Sequence, residues 1–248
     1  PQALFKIGSL SKLYVATAAA KLVHARVLSL DGTVADYLPE LAGRIEYADQ
    51  ITLRMLLQHR SGIPNYTDSD QFDWVAPPTD PSEGLALVLD KPADFKPGTD
   101  YGYSNTNYLL VGSILDQELG YSHRRYIQEE ILDPLHLTHT YGLLREVDLG
   151  DVASGYHHPY EVDFKDVEFA LPSGSMVATA QDVGVFLRAL NDGSLLDEDE
   201  QGVYSSIYEY GHKGWVLGYQ SIGRYHEDID AVVVQFVNST GGDSELVA

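Results

Sequence analysis

Phe5-Lys6-Ile7-Gly8-Ser9-Leu10-Ser11-Lys12-Leu13 leads a loop or strand end into a helix that carries Ser-x-x-Lys. The residues that follow are apolar or small (Leu13, Val15, Ala16, Ala19, Ala20, Leu22, Val23), at a spacing that suits a buried helical face. Ser9 and Lys12 are three apart, so a helix stacks them on one side. Ser11 is two from Ser9, roughly 200° round the helix at 3.6 residues per turn, and points away. A serine hydroxyl is a weak nucleophile until a base takes its proton. A lysine one turn on can be that base if burial holds its amine neutral. Backbone N–H groups at the helix start stabilise the negative charge that develops. The same four residues also occur at a polar helix start with a solvated lysine, so partners must come from the rest of the chain.

The chain has 248 residues, with 44% hydrophobic and 21% charged, enough for one large domain or two closely packed ones. The net charge of −21 argues against nucleic acid and anionic membranes as partners, and reads as a solvated acidic surface. No apolar run approaches 18 residues, so no membrane span is expected. No signal peptide is visible ahead of Pro1. Without cysteine there is no disulfide, thiol nucleophile or thiolate metal site. His136 and His139 are three apart but lack a third ligand at suitable spacing, and neither a metal nor a cofactor is expected.

Helices are expected over 13–30, from Thr52 towards His59, over 82–89, 108–119 and 122–131, and from Thr179 or Ala180 to Leu190. Residues 34–41 read as a loop with a short extended piece, and 65–82 as a surface loop. Towards the end, Gly214–Ile222 and Asp230–Asn238 read as two strands of an antiparallel hairpin. The chain thus divides into a mostly helical region, 13–165, and an α/β region made of 1–12 and 166–248.

Two further stretches carry polar groups suited to the chemistry of Ser9. In Tyr101-Gly102-Tyr103-Ser104-Asn105 an extended backbone turns Tyr103 and Asn105 to one side. A phenol near a lysine can lose or relay a proton, and an amide can hold a substrate amide. In Tyr210-Gly211-His212-Lys213-Gly214-Trp215 the glycines allow close approach, and an N–H on that strand can complete an oxyanion hole with that of Ser9. Histidine and lysine as strand neighbours face opposite ways, so if His212 faces the cleft, Lys213 faces out.

Ser9-Leu10-Ser11-Lys12, Tyr103-Ser104-Asn105 and His212-Lys213-Gly214, in that order, resemble the three active-site motifs of the serine β-lactamase and D,D-peptidase superfamily. The Tyr-x-Asn motif resembles its class C-like branch of β-lactamases, D-alanyl-D-alanine carboxypeptidases and esterases. The likeness extends to Leu53–Pro64, Phe95–Gly112, Pro134–Leu137 and Ser173–Asp182, and so to nearly all of residues 5–240. It implies an α+β fold: an antiparallel sheet flanked by helices, a mostly helical region, and the active site in the cleft between them. By this resemblance Ser9 is the acylated nucleophile, Lys12 its proton partner and Tyr103 the general base and acid. Asn105 and His212 bind substrate, and the N–H groups of Ser9 and Trp215 form the oxyanion hole. It also points to a periplasmic or secreted protein.

Three features depart from the family pattern. The usual strands before Ser-x-x-Lys are absent from the sequence, so an exposed sheet edge, and association of copies through it, is expected. The segment before Tyr210 is short and little follows Val237. The third motif reads His-Lys-Gly. The expected function is a serine hydrolase acting through an acyl-enzyme on a D-alanyl peptide, a β-lactam or a small ester. The alternative is a penicillin-recognising protein that acylates without turnover. If a protonated His212 binds substrate carboxylates, activity on them rises as pH falls towards 6.

Overall fold

The computed structural model describes residues 2–242, so Pro1 and 243–248, at the ends of the proposed α/β region, lie outside the described residues. In chain order the α-helices are α1 (Ser11–His24), α2 (Val34–Tyr37), α3 (Leu53–Leu57), α4 (Pro81–Ala86), α5 (Asn105–Leu119), α6 (His123–Ile127), α7 (Ala180–Asp192) and α8 (Glu198–Ser205). The strands are β1 (Phe5–Lys6), β2 (Thr140–Tyr141), β3 (Tyr156–His157), β4 (Tyr160–Asp163), β5 (Val177–Ala178), β6 (His212–Val216), β7 (Tyr219–His226), β8 (Ala231–Val237) and β9 (Ser239–Thr240). The fold is α+β, as expected.

Helix α1 lies at the centre. Its alanines favour helix and let neighbours approach closely, and its residues from Ser11 to Ala20 are all buried. A helix apolar on every side belongs inside a core. Tyr14 stacks on Phe186 of α7 with ring centroids 3.7 Å apart, joining α1 to the helix that backs the sheet. Fully buried Leu10 and Leu13 each stabilise the fold by about 1.5–3 kcal/mol.

The main sheet has the order β6-β7-β8, antiparallel throughout, with His212 opposite Gly223 and Gly214 opposite Ser221. Two smaller sheets, β1-β5-β2 and β4-β3-β9, tie the segment before Ser9 and the chain end to the middle of the sequence. Lys6, almost fully buried, clamps the 164–167 loop by donating to the carbonyls of Phe164 (2.8 Å) and Val167 (2.6 Å).

Several local expectations change. The run Gly214–Ile222 is not one strand: the chain reverses at Leu217-Gly218, giving β6 and β7, and the second hairpin is β7–β8. An unbroken apolar run hides a turn whose signal is a single glycine. Residues 34–37 are helical because Thr33 and Asp36 form a capping box. Asp197 and Glu200 do the same for α8, for which the sequence reading has no element. Helix α1 stops at His24 rather than residue 30.

Candidate active site

Ser9 sits in a 3₁₀ turn, Gly8–Leu10, that runs directly into α1. Residues i and i+3 eclipse in such a turn, so Lys12 comes under Ser9 and its Nζ lies 2.9 Å from Ser9 Oγ. Ser11 points the other way. Its hydroxyl donates to the Gly8 carbonyl (2.7 Å) and accepts from the Met176 amide (3.1 Å), which fixes the turn from behind.

Lys12 is fully buried. Besides Ser9, its Nζ contacts Asn105 Oδ1 at 2.8 Å and the Ser173 carbonyl at 2.6 Å. Burial alone pushes its pKa well below that of an ordinary lysine. A neutral amine has two N–H donors and one lone pair. A carbonyl and an amide oxygen can only accept, so the two donors go to Ser173 and Asn105. The lone pair is left for the one contact that can donate, the Ser9 hydroxyl. Asn105 is held in this orientation because its Nδ2 donates to Thr67 Oγ1 at 3.1 Å.

The Tyr103 hydroxyl donates to Ser9 Oγ at 2.9 Å. Its ring is 37% exposed, but its polar end is enclosed, and desolvation raises its pKa above the usual phenol value. The phenol therefore keeps its proton. Low dielectric disfavours both the phenolate and the ammonium, which suits Tyr103 to passing a proton on as a neutral phenol. Ser104, between Tyr103 and Asn105, is in extended backbone, but Asn105 is already the first residue of α5. The two reach Ser9 and Lys12 from a helix start rather than from one extended strand.

His59 is a site residue that motif reading missed. Its ring lies 4.4 Å from that of Tyr103, centroid to centroid. Its Nδ1 takes the Ser104 amide at 3.2 Å and lies 3.2 Å from Asn107 Nδ2, and its carbonyl accepts from Gly102 N–H at 2.9 Å. The residue holds φ at +56°, a strained value for histidine. Burial first, then the nearby Lys12, lowers its pKa to about 3. The ring is therefore neutral, with Nδ1 as acceptor, and braces the Tyr103–Asn105 turn. Leu53–Pro64 contains it, but nothing in that spacing says that it touches Tyr103.

His212 lies at the start of β6, 6.1 Å from Tyr103 between ring centroids, with its ring stacked on Tyr208 at 5.8 Å. Its Nδ1 meets the Lys213 carbonyl. Burial, then Lys12, lowers its pKa to about 4. At pH 6 only about 1% of such a group is protonated, so this placement of His212 does not support a rise in activity towards pH 6. Lys213 is exposed and alternates with His212 along the strand, as expected.

The backbone of β6 closes the site. A Cβ on Gly8, whose φ is +53°, would lie 2.7 Å from Trp215 N, so the Trp215 amide abuts the turn that holds Ser9. The Trp215 ring is 39% exposed and meets Trp74 edge-on, centroids 4.7 Å apart. Trp74 in turn stacks on Phe169 at 6.1 Å. The segment read as a surface loop over 65–82 thus builds an aromatic wall of the cleft, and its Tyr66 is fully buried. Among the described residues no cluster of three or more metal-ligating side chains occurs, and no helix is long and apolar enough to cross a membrane.

The sequence matches a family model described as Beta-lactamase over residues 1–206. Among curated proteins, penicillin-binding protein 4 of Amycolatopsis lactamdurans is 32% identical over 205 residues, covering 77% of this chain and 51% of that protein. Protein flp of Staphylococcus aureus is 31% identical over 144 residues, covering 56% of this chain and 28% of that protein. The chain thus spans about half or less of the length of these relatives. Among solved structures, D-amino acid amidase of Ochrobactrum anthropi SV3, complexed with D-phenylalanine, superposes with a TM-score of 0.84 at 25% identity, covering 98% of this chain and 79% of that one.

Proposed function

The chain belongs to the beta-lactamase family, and from that premise we propose that it is a serine hydrolase acylated at Ser9, acting on amides or esters that carry no carboxylate. The observation that carries this reading is the position of Lys12, fully buried, with Nζ 2.9 Å from Ser9 Oγ and its other contacts made to two acceptors, the Ser173 carbonyl and Asn105 Oδ1.

Ser9 Oγ attacks the substrate carbonyl while its proton passes to Lys12 Nζ. The oxyanion is held by the N–H groups of Ser9 and Trp215. Tyr103 donates its proton to the leaving amine or alcohol, and the proton that Lys12 took from Ser9 replaces it, so the C–N or C–O bond breaks and the acyl-enzyme remains. In deacylation the path reverses: water adds to the ester carbonyl, its proton passes to Tyr103 and Lys12, and Ser9 leaves as the alkoxide that recovers it. Asn105 anchors Lys12, and presents its amide edge to the bound substrate.

Substrate preference follows from charge. A D,D-carboxypeptidase or β-lactamase substrate brings a carboxylate to the third motif. Here His212 is neutral and Lys213 faces away, so the motif lacks a fixed cation. A neutral amide or ester avoids that cost, and the similarity to an amidase supports this order. The complete proton path disfavours a protein that acylates without turnover. The outer edge of β8, unpaired among the described residues, supports association between copies as a further proposal.

A kinetic panel tests the reading: a p-nitrophenyl ester, a D-amino acid amide, a D-Ala-D-Ala peptide and nitrocefin. Steady turnover of the first two, well above the last two, is expected. A stoichiometric burst followed by no turnover on every substrate would overturn it.

A further inference from the structure

Behind the Ser9 turn, on the side to which Ser11 points, lies a cavity of about 610 Å³. It is bounded by α1, by α6 with the 128–132 turn, and by the 142–146 and 172–176 segments. Its size falls within the range of small-molecule sites, ~300–1,000 Å³. The walls are mainly apolar, with Val15, Ile127, Leu132, Leu143, Pro172 and Met176 among them. Neither Ser9 nor any other residue of the proposed proton path lines it.

One polar group in this cavity is unspent. Arg124 has five N–H donors. One, on Nη2, goes to the Ala170 carbonyl at 2.6 Å. Nε is buried with no partner, and Nη1 makes no hydrogen bond among the described residues. The acidic neighbours are already engaged. Asp116 pairs with His123 at 2.8 Å. Glu146 accepts the amides of Gly142 (2.9 Å) and Leu143 (3.2 Å). Glu129 holds Arg125 at 2.8 Å, and Glu168 holds Arg145 at 3.1 Å. Asp133 accepts from the Gln128 amide. Asp116, Glu146 and Glu168 act on this half-buried guanidinium through space, but none accepts a hydrogen bond from it, so a ligand that brings an acceptor oxygen to it is favoured. With Glu129, Asp133 and Glu146 also on the rim, a single negative charge fits better than a dianion.

We propose that this cavity is a second binding site, distinct from the Ser9 cleft, for a small amphiphilic monocarboxylate. Its carboxylate sits on Arg124 Nη1 and its tail fills the apolar walls. The site backs onto the catalytic turn, because Ser11 in its lining is bonded to both Gly8 and Met176. Occupancy therefore bears on Ser9 without blocking access to it.

Sodium octanoate is the probe, with octan-1-ol and octylamine for comparison. The account expects octanoate to raise the melting temperature saturably with Kd in the ~1 mM range, and the other two to do so far less. The same response is expected in Ser9→Ala, whose cavity is intact. Inhibition of ester hydrolysis by octanoate should be non-competitive. Arg124→Gln should weaken binding about tenfold or more. An equal response to octylamine or octanol, purely competitive inhibition, or unchanged octanoate affinity in a folded Arg124→Gln would each overturn the proposal. Should Arg124→Gln fail to fold, the comparison of the three probes on the unaltered chain decides by itself.

Discussion

Replacing Gly214 with alanine puts a methyl carbon 2.0 Å from the Ile7 carbonyl oxygen and 2.2 Å from Ser221 Oγ. Ordinary contact begins near 3.4 Å, so the parts must separate by about 1 Å or more. The Ile7 side cannot yield easily. Its carbonyl accepts from Ser221 Oγ at 2.7 Å, and its amide is bonded to the Met176 carbonyl at 3.0 Å. Strand β6 must move instead, and the next residue along it is Trp215. A displacement of about 1 Å takes the Trp215 N–H out of range of an oxyanion that needs donors within about 2.7–3.1 Å. The expected loss is about 10²–10³ in kcat on a p-nitrophenyl ester, as for removal of one oxyanion donor. Overpacking costs about 1–3 kcal/mol in stability, a fall of several degrees in Tm. Activity is compared at a temperature where both proteins are fully folded, with Trp215→Phe, which keeps the N–H, as the control expected to retain turnover. A Gly214→Ala protein with unchanged Tm and ester turnover within threefold of the parent would refute the placement of β6 against the Ser9 turn.

Lys12→Met keeps the length of the buried chain and removes the amine; acylation should slow by about 10²–10⁴, the usual worth of acid–base catalysis, while stopped-flow ester binding is little changed. His59 links stability to pH: its pKa falls to about 3 on folding from an ordinary 6.5, so its contribution is complete above pH 6.5 and is lost as pH falls towards 3. Worked through linkage, that is about 2 kcal/mol lost at pH 5, read by urea unfolding, and His59→Gln should flatten the dependence. For His212, lowered to about 4, the ratio of kcat/KM for a D-Ala-D-Ala peptide to that for its neutral amide should stay flat from pH 8 to 6; a rise through that window would show a protonated imidazole binding the carboxylate.

The sequence told most where chemistry and local spacing coincide. Ser9 and Lys12 share a face in either an α or a 3₁₀ turn, so the change of helix type left that inference intact. The strand alternation that turns Lys213 away from His212 was equally legible, because it depends on backbone geometry alone. What could not be read was protonation. Whether Lys12 or Tyr103 is the base depends on how deeply each polar end is buried, and that depth is set by Ser173, by Asn105 and Tyr108 of α5, and by His59, drawn from three separate stretches. The aromatic wall from Trp74 was hidden for a related reason: a Pro-rich polar segment has no periodicity, and only its neighbours Phe169 and Trp215 make it part of the cleft. The β6–β7 reversal was missed because Trp215 to Tyr219 is apolar through the turn.

The central claim is that Ser9 Oγ, served by Lys12 and Tyr103, becomes covalently acylated. Its most direct test is peptide mapping by mass spectrometry after labelling with a fluorophosphonate and, separately, a fluorescent penicillin. One adduct per chain on Ser9 is expected, abolished by Ser9→Ala and retained in Ser11→Ala. Attachment to Ser11, Ser61 or Ser175, or labelling that persists in Ser9→Ala, would contradict it.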